Sequence, residues 1–481
     1  MKFLLAFIFV SSLIPISTQA SYIDSSEPVD KPAQSLIKPL LNALNSGDDK
    51  LIREFVINHF NRDWTAQIDE SVLYLNLIAT TNGKLKLHYS RDYTKKLPDS
   101  EMVFIVYSAL NESWRAITLI TDEQDEDRIS LLDLSPARWP SDLPSPATIS
   151  ESLAISKLSQ FVQKMSDKDV FSGAILFALG NKVLMKQAFG EASKRYNVIN
   201  QTDTKFNLAS VGKMFTGVAI VQLIQSQKIK SGDKLSQYLG DNWLDKSISQ
   251  NITVEQLLTH TSGLGNNAFG KNNFELLSKN TFRDLVDYQP LIKKEKLISE
   301  PGSQFNYSNT GIFLAGVVIE KVTGMSYFDY IQKNIFDVAG MDNSGFFDMD
   351  EPVSNVATGY ERTQSNKTGW RNNWFEHFIK GSPAGGAVST VEDMHKFAQA
   401  LMANRLLDKA MTKKLMAYYN PYGNNFVGHT GMHFGINTEF VMFPQTEYII
   451  VILSNYTTGA SSVSGKLHQL IKQIESVKNN Q

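Results

Sequence analysis

The chain of 481 residues contains no cysteine. Disulfides, cysteine nucleophiles and thiolate metal sites are therefore excluded. A lipoprotein signal is excluded as well, because such a signal needs a cysteine to carry the lipid. A chain of this length can do without disulfides, since its core is large enough to stabilise the fold by burial alone.

The chain also lacks an excess of charge of either sign. Its formal net charge is -2, which removes the electrostatic case for binding nucleic acid or an anionic membrane. Hydrophobic residues make up 42% and charged residues 20%, as in ordinary globular proteins. The length is too great for one compact core and predicts two or more domains.

Outside the N-terminus, no stretch is long and apolar enough to cross a bilayer. Lys2 precedes an apolar run from Phe3 to Val10, and Thr18-Gln19-Ala20 places small residues where a signal peptidase reads them. We therefore predict a signal peptide over residues 1–20, cleaved after Ala20, with an uncleaved anchor as the alternative. The prediction is a periplasmic or secreted protein without stable membrane insertion after cleavage.

The pattern over residues 21–135 predicts a small α+β accessory domain, in which helices come first and a β meander follows. Apolar residues at helical spacing occupy 36–44 and 51–56. The stretches predicted as strands are Val72–Ile78, Leu85–Tyr89, Met102–Tyr107, Trp114–Ile120 and Ile129–Leu132. Four prolines then mark residues 136–149 as a linker.

Residues 150–477 predict a second domain, in which strands at both ends enclose a mainly helical middle. Gly173–Leu179 and Val183–Phe189 flank the turn pair Gly180-Asn181 and predict a hairpin. Further strands are expected around 425–430, 438–443 and 448–453, followed by a terminal helix. This order predicts an α+β fold with one antiparallel sheet, flanked by helices and a helical lobe.

Ser210 and Lys213 lie one helical turn apart, at the start of an apolar helix. Their side chains should share one face of that helix. An N-cap role is the commonest one for such a serine, but a lysine in the first turn opposes the helix dipole. Burial should lower the pKa of the ammonium, which suits a lysine that accepts a proton from a serine. The pair predicts a nucleophile and its base.

Two further motifs could complete such a site. Tyr307-Ser308-Asn309 precedes a predicted helix, and a tyrosine near a lysine can shuttle a proton to a leaving group. The alternative is a partly buried aromatic residue ahead of a helix that Ser308 or Asn309 caps. His429-Thr430-Gly431 lies on a predicted strand, where glycine admits a substrate backbone; taken alone, such a histidine is more often an ordinary strand residue. His429 and His433 lack a third ligand nearby, so no metal is predicted.

In this order, the three motifs resemble those of the serine β-lactamase and penicillin-binding-protein superfamily, specifically its class C β-lactamase-like branch. That branch carries S-x-x-K, Y-x-N and K/H-T-G. The resemblance extends to Thr259–Leu264, Ser382–Gly386 and Leu453-Ser454-Asn455, and covers about residues 150–477. It does not reach the accessory domain.

The resemblance implies a Ser-Lys-Tyr mechanism without metal or organic cofactor. Ser210 would be the acylated nucleophile, with Lys213 and Tyr307 as the proton-transfer pair. The backbone N–H groups of Ser210 and Met432 would form the oxyanion hole. The residues implied in substrate binding are Asn309, His429, Thr430 and Gly431.

Two departures from the family pattern bear on the substrate. His429 replaces a lysine that attracts a carboxylate, and a neutral imidazole attracts one only weakly. Met432-His433-Phe434 replaces a small, glycine-rich segment and narrows the site. We therefore expect an exported serine hydrolase that acts on an ester or peptide-like amide, as an esterase or a D-peptidase or amidase does.

The expected partner is a small-molecule or peptide-like substrate, which includes substrates derived from a cell wall. Binding of nucleic acid is not expected. A β-lactamase or DD-carboxypeptidase is the alternative within the same chemistry. A penicillin-binding sensor that does not hydrolyse its ligand is the alternative from another class. An intact Ser210, Lys213 and Tyr307 argue against a site that has lost its activity.

Overall fold

The computed structural model describes residues 22–25, 31–93, 97–270, 277–363, 368–420 and 425–478, which form two compact units. The first holds the described residues through Phe171, together with Arg362–Arg371 and those from Ser461 onward. The second holds Ser172–Glu361 and Asn372–Ala460. The predicted signal peptide lies outside the described residues, and the predicted domain limits stay predictions.

Helices of the first unit form where apolar residues recur at helical spacing. They span Ala33–Ser46, Asp49–His59, Arg62–Thr65, Ile68–Asn82 and Glu151–Asp167, and helix Gly459–Lys478 continues into this unit from Ser461. The prediction of a strand over Val72–Ile78 was wrong, because this stretch lies inside a helix. Val72, Leu75 and Ile78 recur every three residues and form one buried face, a period that a strand does not have.

The sheet of the first unit is antiparallel and keeps its strands in sequence order. The strands are β1 (Tyr22–Ser25), β2 (Leu85–Tyr93), β3 (Glu101–Ser108), β4 (Ser113–Thr121) and β5 (Ile129–Pro136). Phe104, Ile117 and Leu132 lie on the face that shares a core with the helices. A helix layer on one face of an antiparallel meander is the predicted small α+β fold.

The second unit is built on a five-stranded antiparallel sheet, in the order β14-β15-β16-β6-β7. These strands are β6 (Gly173–Leu179), β7 (Lys182–Phe189), β14 (Val427–His433), β15 (Ile436–Met442) and β16 (Tyr448–Ser454). β16 is buried along its whole length and pairs with β6, so the two ends of the unit meet in one sheet. This confirms the predicted fold class.

Shorter strands and helices fill the middle of the chain and, apart from parts of two strands, belong to the second unit. The strands are β8 (Glu191–Ser193), β9 (Val198–Ile199), β10 (Phe206–Asn207), β11 (Tyr360–Arg362), β12 (Trp370–Asn372) and β13 (Val388–Ser389). Of these, β11 and β12 each extend into Arg362–Arg371 of the first unit. The α-helices are Lys213–Gln225, Lys246–Ser249, Val254–Leu258, Gln289–Ile292, Asn309–Thr323, Tyr327–Ile331, Asp337–Ala339, Val391–Met402 and Lys409–Tyr418, with a π-helical segment over Gln332–Phe336. The 3-10 helices are Ala209–Gly212, Leu235–Gln237, Asn267–Phe269, Lys279–Thr281 and Leu285–Tyr288.

Helix Lys213–Gln225 lies at the centre of the core. Phe215 is fully buried and contacts Phe336 and Phe397 edge-on, each at 5.0 Å between ring centroids. Phe397 in turn contacts Phe440 of β15. These contacts fix the helix that carries Lys213 against the helical lobe and the sheet.

Within the described residues, no single helix meets the length and hydropathy expected of a membrane span, and the bent pair Asn309–Thr323 with Tyr327–Ala339 meets them jointly.

Candidate active site

Ser210 lies in a tight turn, Ala209–Gly212, between β10 and helix Lys213–Gln225. Ala209 has a φ of +44°, a left-handed conformation that is uncommon for a residue with a side chain. Its N–H donates to Asn207 Oδ1 at 2.8 Å, and its carbonyl accepts from Gly386 N–H at 3.0 Å. The turn is thus held from both sides, as a strained backbone at a functional site must be.

Gly431 brings the edge strand β14 against this turn. A Cβ at Gly431 would lie 2.3 Å from the carbonyl oxygen of Leu208 and 2.4 Å from Thr438 Oγ1, closer than any side chain tolerates. Thr438 Oγ1 donates to the same Leu208 carbonyl at 2.8 Å. Glycine at this position therefore lets the sheet and the Ser210 turn meet.

Lys213 holds its amine beside the Ser210 hydroxyl. Lys213 Nζ is 2.8 Å from Ser210 Oγ, and it also donates to the carbonyl of Ala384. The lysine is fully buried, and no acidic side chain among the described residues forms an ion pair with it. Burial lowers the pKa of the ammonium well below its usual 10.5, because a dry site disfavours the charged form. When neutral, the amine can accept the serine proton.

Tyr307 contacts the same oxygen from another direction. Its hydroxyl donates to Ser210 Oγ at 3.0 Å. Burial raises the pKa of the phenol, so the group stays protonated and able to donate. Ser308 caps helix Asn309–Thr323 by accepting from Gly311 N–H, so of the two cap candidates the structure selects Ser308. The N-cap alternative for Ser210 is not observed, because no side chain caps the helix that follows it.

His260 is a neighbour of the site that the sequence analysis did not single out. Its ring lies 4.5 Å from the Tyr307 ring, and its Nδ1 accepts from Ser308 N–H at 3.2 Å. Burial, with smaller contributions from Lys213 and His429, lowers the pKa of His260 well below 6.5. The sequence showed only a histidine within a resembling segment, and nothing local indicated that its ring packs on a residue 47 positions away.

Asn266 was missed for a similar reason. Its Nδ2 donates to the Tyr307 carbonyl at 2.8 Å, and its Oδ1 accepts from Asn309 N–H at 2.6 Å. One amide thus clamps both ends of the Tyr307-Ser308-Asn309 segment. The side chain of Asn309 is half-buried and forms no hydrogen bond with the residues that the structure describes.

The predicted residues of β14 lie on the outer strand of the sheet. The His429 ring is 6.3 Å from the Tyr307 ring, and its Nδ1 contacts the carbonyl of Thr430. Its enclosed position, together with the nearby Lys213, lowers the pKa of His429 to about 4, so the imidazole is neutral at ordinary pH. Thr430 is exposed, and Met432 is half-buried opposite Asn437 of β15.

His433, the other histidine of β14, contacts a different part of the second unit. Its ring lies 4.2 Å from that of His377, and burial lowers the pKa of both histidines. In the described parts of the chain, no group of three or more histidine and carboxylate side chains is arranged to hold a metal ion.

Comparison with known proteins assigns this chain to a family. The family model described as Beta-lactamase matches residues 158–473, more than half of the chain. The chain belongs to the beta-lactamase family. The resemblance predicted from the sequence is thereby confirmed. The chain is a member of the serine hydrolases that share this fold.

Individual relatives agree with this assignment. Penicillin-binding protein 4* of Bacillus subtilis (strain 168) is 28% identical over 330 residues, which cover 62% of this chain and 71% of that protein. The crystal structure of a penicillin-binding protein from Bacillus halodurans is 28% identical, with a TM-score of 0.59 over 66% of this chain and 98% of that one. A D-amino acid amidase from Ochrobactrum anthropi SV3, 21% identical with a TM-score of 0.57 over 68% and 99% of the two chains, shares the fold.

Replacing Gly431 by alanine tests the contact between β14 and the Ser210 turn. We expect Gly431→Ala to lower the free energy of unfolding by about 1–3 kcal/mol, because the new methyl group forces Leu208 and Thr438 apart. Thermal unfolding measures the effect. Gly232→Ala is the matched control, since a Cβ at Gly232 meets nothing within 4 Å. Equal stability of both variants would contradict the contact.

Proposed function

We propose that the chain is an exported serine hydrolase that forms an acyl-enzyme on Ser210 and acts on a neutral ester or peptide-like amide. The observation that carries the proposal is the Lys213 amine, fully buried, without a carboxylate partner among the described residues, and 2.8 Å from Ser210 Oγ. An activated serine needs such a base within hydrogen-bond reach.

The first chemical step forms the acyl-enzyme. Neutral Lys213 takes the proton of Ser210 Oγ–H while the oxygen attacks the substrate carbonyl and its C=O π electrons move onto oxygen. The N–H groups of Ser210 and Met432 donate to this oxyanion, and each such donor typically contributes ~2.7–4 kcal/mol. As the carbonyl re-forms, the leaving group departs with a proton from Tyr307. The Tyr307 hydroxyl is hydrogen-bonded to the same serine oxygen.

Hydrolysis completes the cycle. Tyr307, now short of a proton, regains one from Lys213, which restores the neutral amine. Water then attacks the acyl carbonyl, its proton passes to the Lys213–Tyr307 pair, and Ser210 leaves reprotonated. Asn309, His429, Thr430 and Gly431 are proposed to hold the substrate beside this centre.

The neutral state of His429 favours uncharged substrates. A cation in its place would attract a substrate carboxylate, whereas a neutral imidazole offers little electrostatic attraction. Esters and peptide-like amides are therefore proposed ahead of β-lactams. A β-lactamase or DD-carboxypeptidase activity is the second candidate, which the relationship to penicillin-binding proteins favours.

The place of action is also part of the proposal. The apolar run near the N-terminus and the small residues that end at Ala20 support export through a cleaved signal peptide, to the periplasm or the medium. Small-molecule or peptide-like substrates, those derived from a cell wall included, are the partners that such a location offers. N-terminal sequencing of the mature protein tests the cleavage point.

The role of Ser210 is tested by removing its oxygen. We expect Ser210→Ala to abolish turnover of p-nitrophenyl butyrate and covalent labelling by a fluorophosphonate, with a nearly unchanged melting temperature, since only one small side chain is lost. Retained turnover would contradict the assignment.

A penicillin probe on the wild-type chain separates a hydrolase from a sensor that only binds its ligand. Rapid release of the label indicates a hydrolase, and a permanent adduct indicates a sensor.

The role of Lys213 is tested through pH. Because turnover needs the neutral amine, kcat/KM for a neutral ester should rise as Lys213 loses its proton and level off well below pH 10.5. Lys213→Arg keeps a cation at every accessible pH and should lower kcat/KM by about 10²–10⁴-fold. A rate that rises only with the ordinary lysine titration, or an active arginine variant, would contradict a lysine base.

The role of His429 is tested by restoring a cation. We expect His429→Lys to raise kcat/KM for p-nitrophenyl hemisuccinate relative to p-nitrophenyl butyrate by about five- to tenfold, because an ammonium near the site attracts the extra carboxylate. His429→Gln, which stays neutral, is the matched control. An unchanged ratio in the lysine variant would show that position 429 does not sense substrate charge.

A further inference from the structure

Five aromatic side chains form a continuous row past Ser210, and we call them the aromatic row. In spatial order they are Phe305, His260, Tyr307, His429 and Tyr419. The successive distances between ring centroids are 5.7, 4.5, 6.3 and 6.2 Å, all within the range of aromatic contacts. The central ring, Tyr307, donates its hydroxyl hydrogen to Ser210 Oγ.

The aromatic row carries no charge at ordinary pH. Burial lowers the pKa of both histidines, so each imidazole is neutral and behaves as a ring. Burial raises the pKa of both tyrosines, so each phenol stays protonated. The Lys213 amine lies 5.0 Å from the Tyr307 ring centroid, and its own pKa is lowered. The rings therefore present an apolar, polarizable surface rather than an ionic one.

One end of the row is open. Phe305 is 37% exposed, and His260 is the one ring it contacts among the described residues. Tyr307, His429 and Tyr419 are half-buried. At the other end, the Tyr419 hydroxyl donates to the Lys213 carbonyl at 2.7 Å, which ties this ring to the catalytic helix. Phe305 therefore lies at the end of ring contacts that lead through His260 to Tyr307, and its exposed part is available to a ligand.

We infer that the aromatic row binds an aromatic group on the leaving-group side of the substrate, an inference that rests on the proposed function. Tyr307 is the proposed proton donor to the leaving atom, so that atom lies next to its hydroxyl. His260 and Phe305 continue the row from Tyr307 away from His429. His260 is buried, so a ring attached one or two bonds beyond the leaving atom would contact the exposed part of Phe305.

The experiment compares matched substrates that differ only in the ring. Benzyl acetate and cyclohexylmethyl acetate have similar bulk, but only the first has a π system, and a pH-stat measures acid release from each. We expect the wild-type chain to prefer benzyl acetate by about three- to tenfold in kcat/KM, the size of an aromatic contact beyond its buried area. Phe305→Leu should reduce this ratio to within about twofold.

Two controls separate the row from general apolar binding. Phe375→Leu removes a phenylalanine that is 84% exposed and outside the row, and it should leave the ratio at the wild-type value. Methyl phenylacetate and methyl cyclohexylacetate carry the ring on the acyl side, and Phe305→Leu should not change their ratio. A benzyl preference that is absent from the wild-type chain, or that survives Phe305→Leu, overturns the inference. A preference found only on the acyl side overturns it as well.

Failure of this inference differs from failure of the proposed function. Equal turnover of both acetates by the wild-type chain contradicts the aromatic subsite and leaves the hydrolase intact. Turnover of none of the four esters, together with no fluorophosphonate label on Ser210, contradicts both.

Discussion

The contact between Lys213 Nζ and Ser210 Oγ, 2.8 Å long and made by a fully buried amine, is the constraint on which the site depends. Burying an amine without a counterion is costly when the amine is charged, and the cost falls away when it loses its proton. The same burial that destabilises the ammonium therefore makes a base of it. The apolar surroundings of helix Lys213–Gln225 are thus part of the chemistry as well as of the core.

Around that contact, the fold supplies rigidity rather than further charge. The strained turn at Ala209 is fixed by Asn207 and Gly386, and the edge strand reaches it because position 431 is glycine. Tyr307 is held by the Asn266 amide and by the His260 ring. The neighbouring imidazoles of His260 and His429 are neutral at ordinary pH, and this agrees with a proposed substrate that carries no charge near the scissile bond.

The sequence predicted the antiparallel sheet and the Ser210–Lys213 contact, because both follow from local periodicity and from a single helical turn. It failed at Val72–Ile78, where apolar residues fill most positions and only the buried residues Val72, Leu75 and Ile78 show the helical period. It also could not reveal His260 and Asn266, whose contacts with the Tyr307 segment are made across more than 40 positions. Such contacts depend on the tertiary fold, which local patterns do not encode.

The most direct measurement is the titration of Lys213 itself. In protein labelled with ¹³C at lysine Cε, the resonance that disappears in Lys213→Arg belongs to this side chain, and its chemical shift against pH gives its pKa. The account predicts a midpoint well below 10.5 and below those of the exposed lysines. A Lys213 that titrates together with the surface lysines, near the ordinary value of about 10.4, would contradict it.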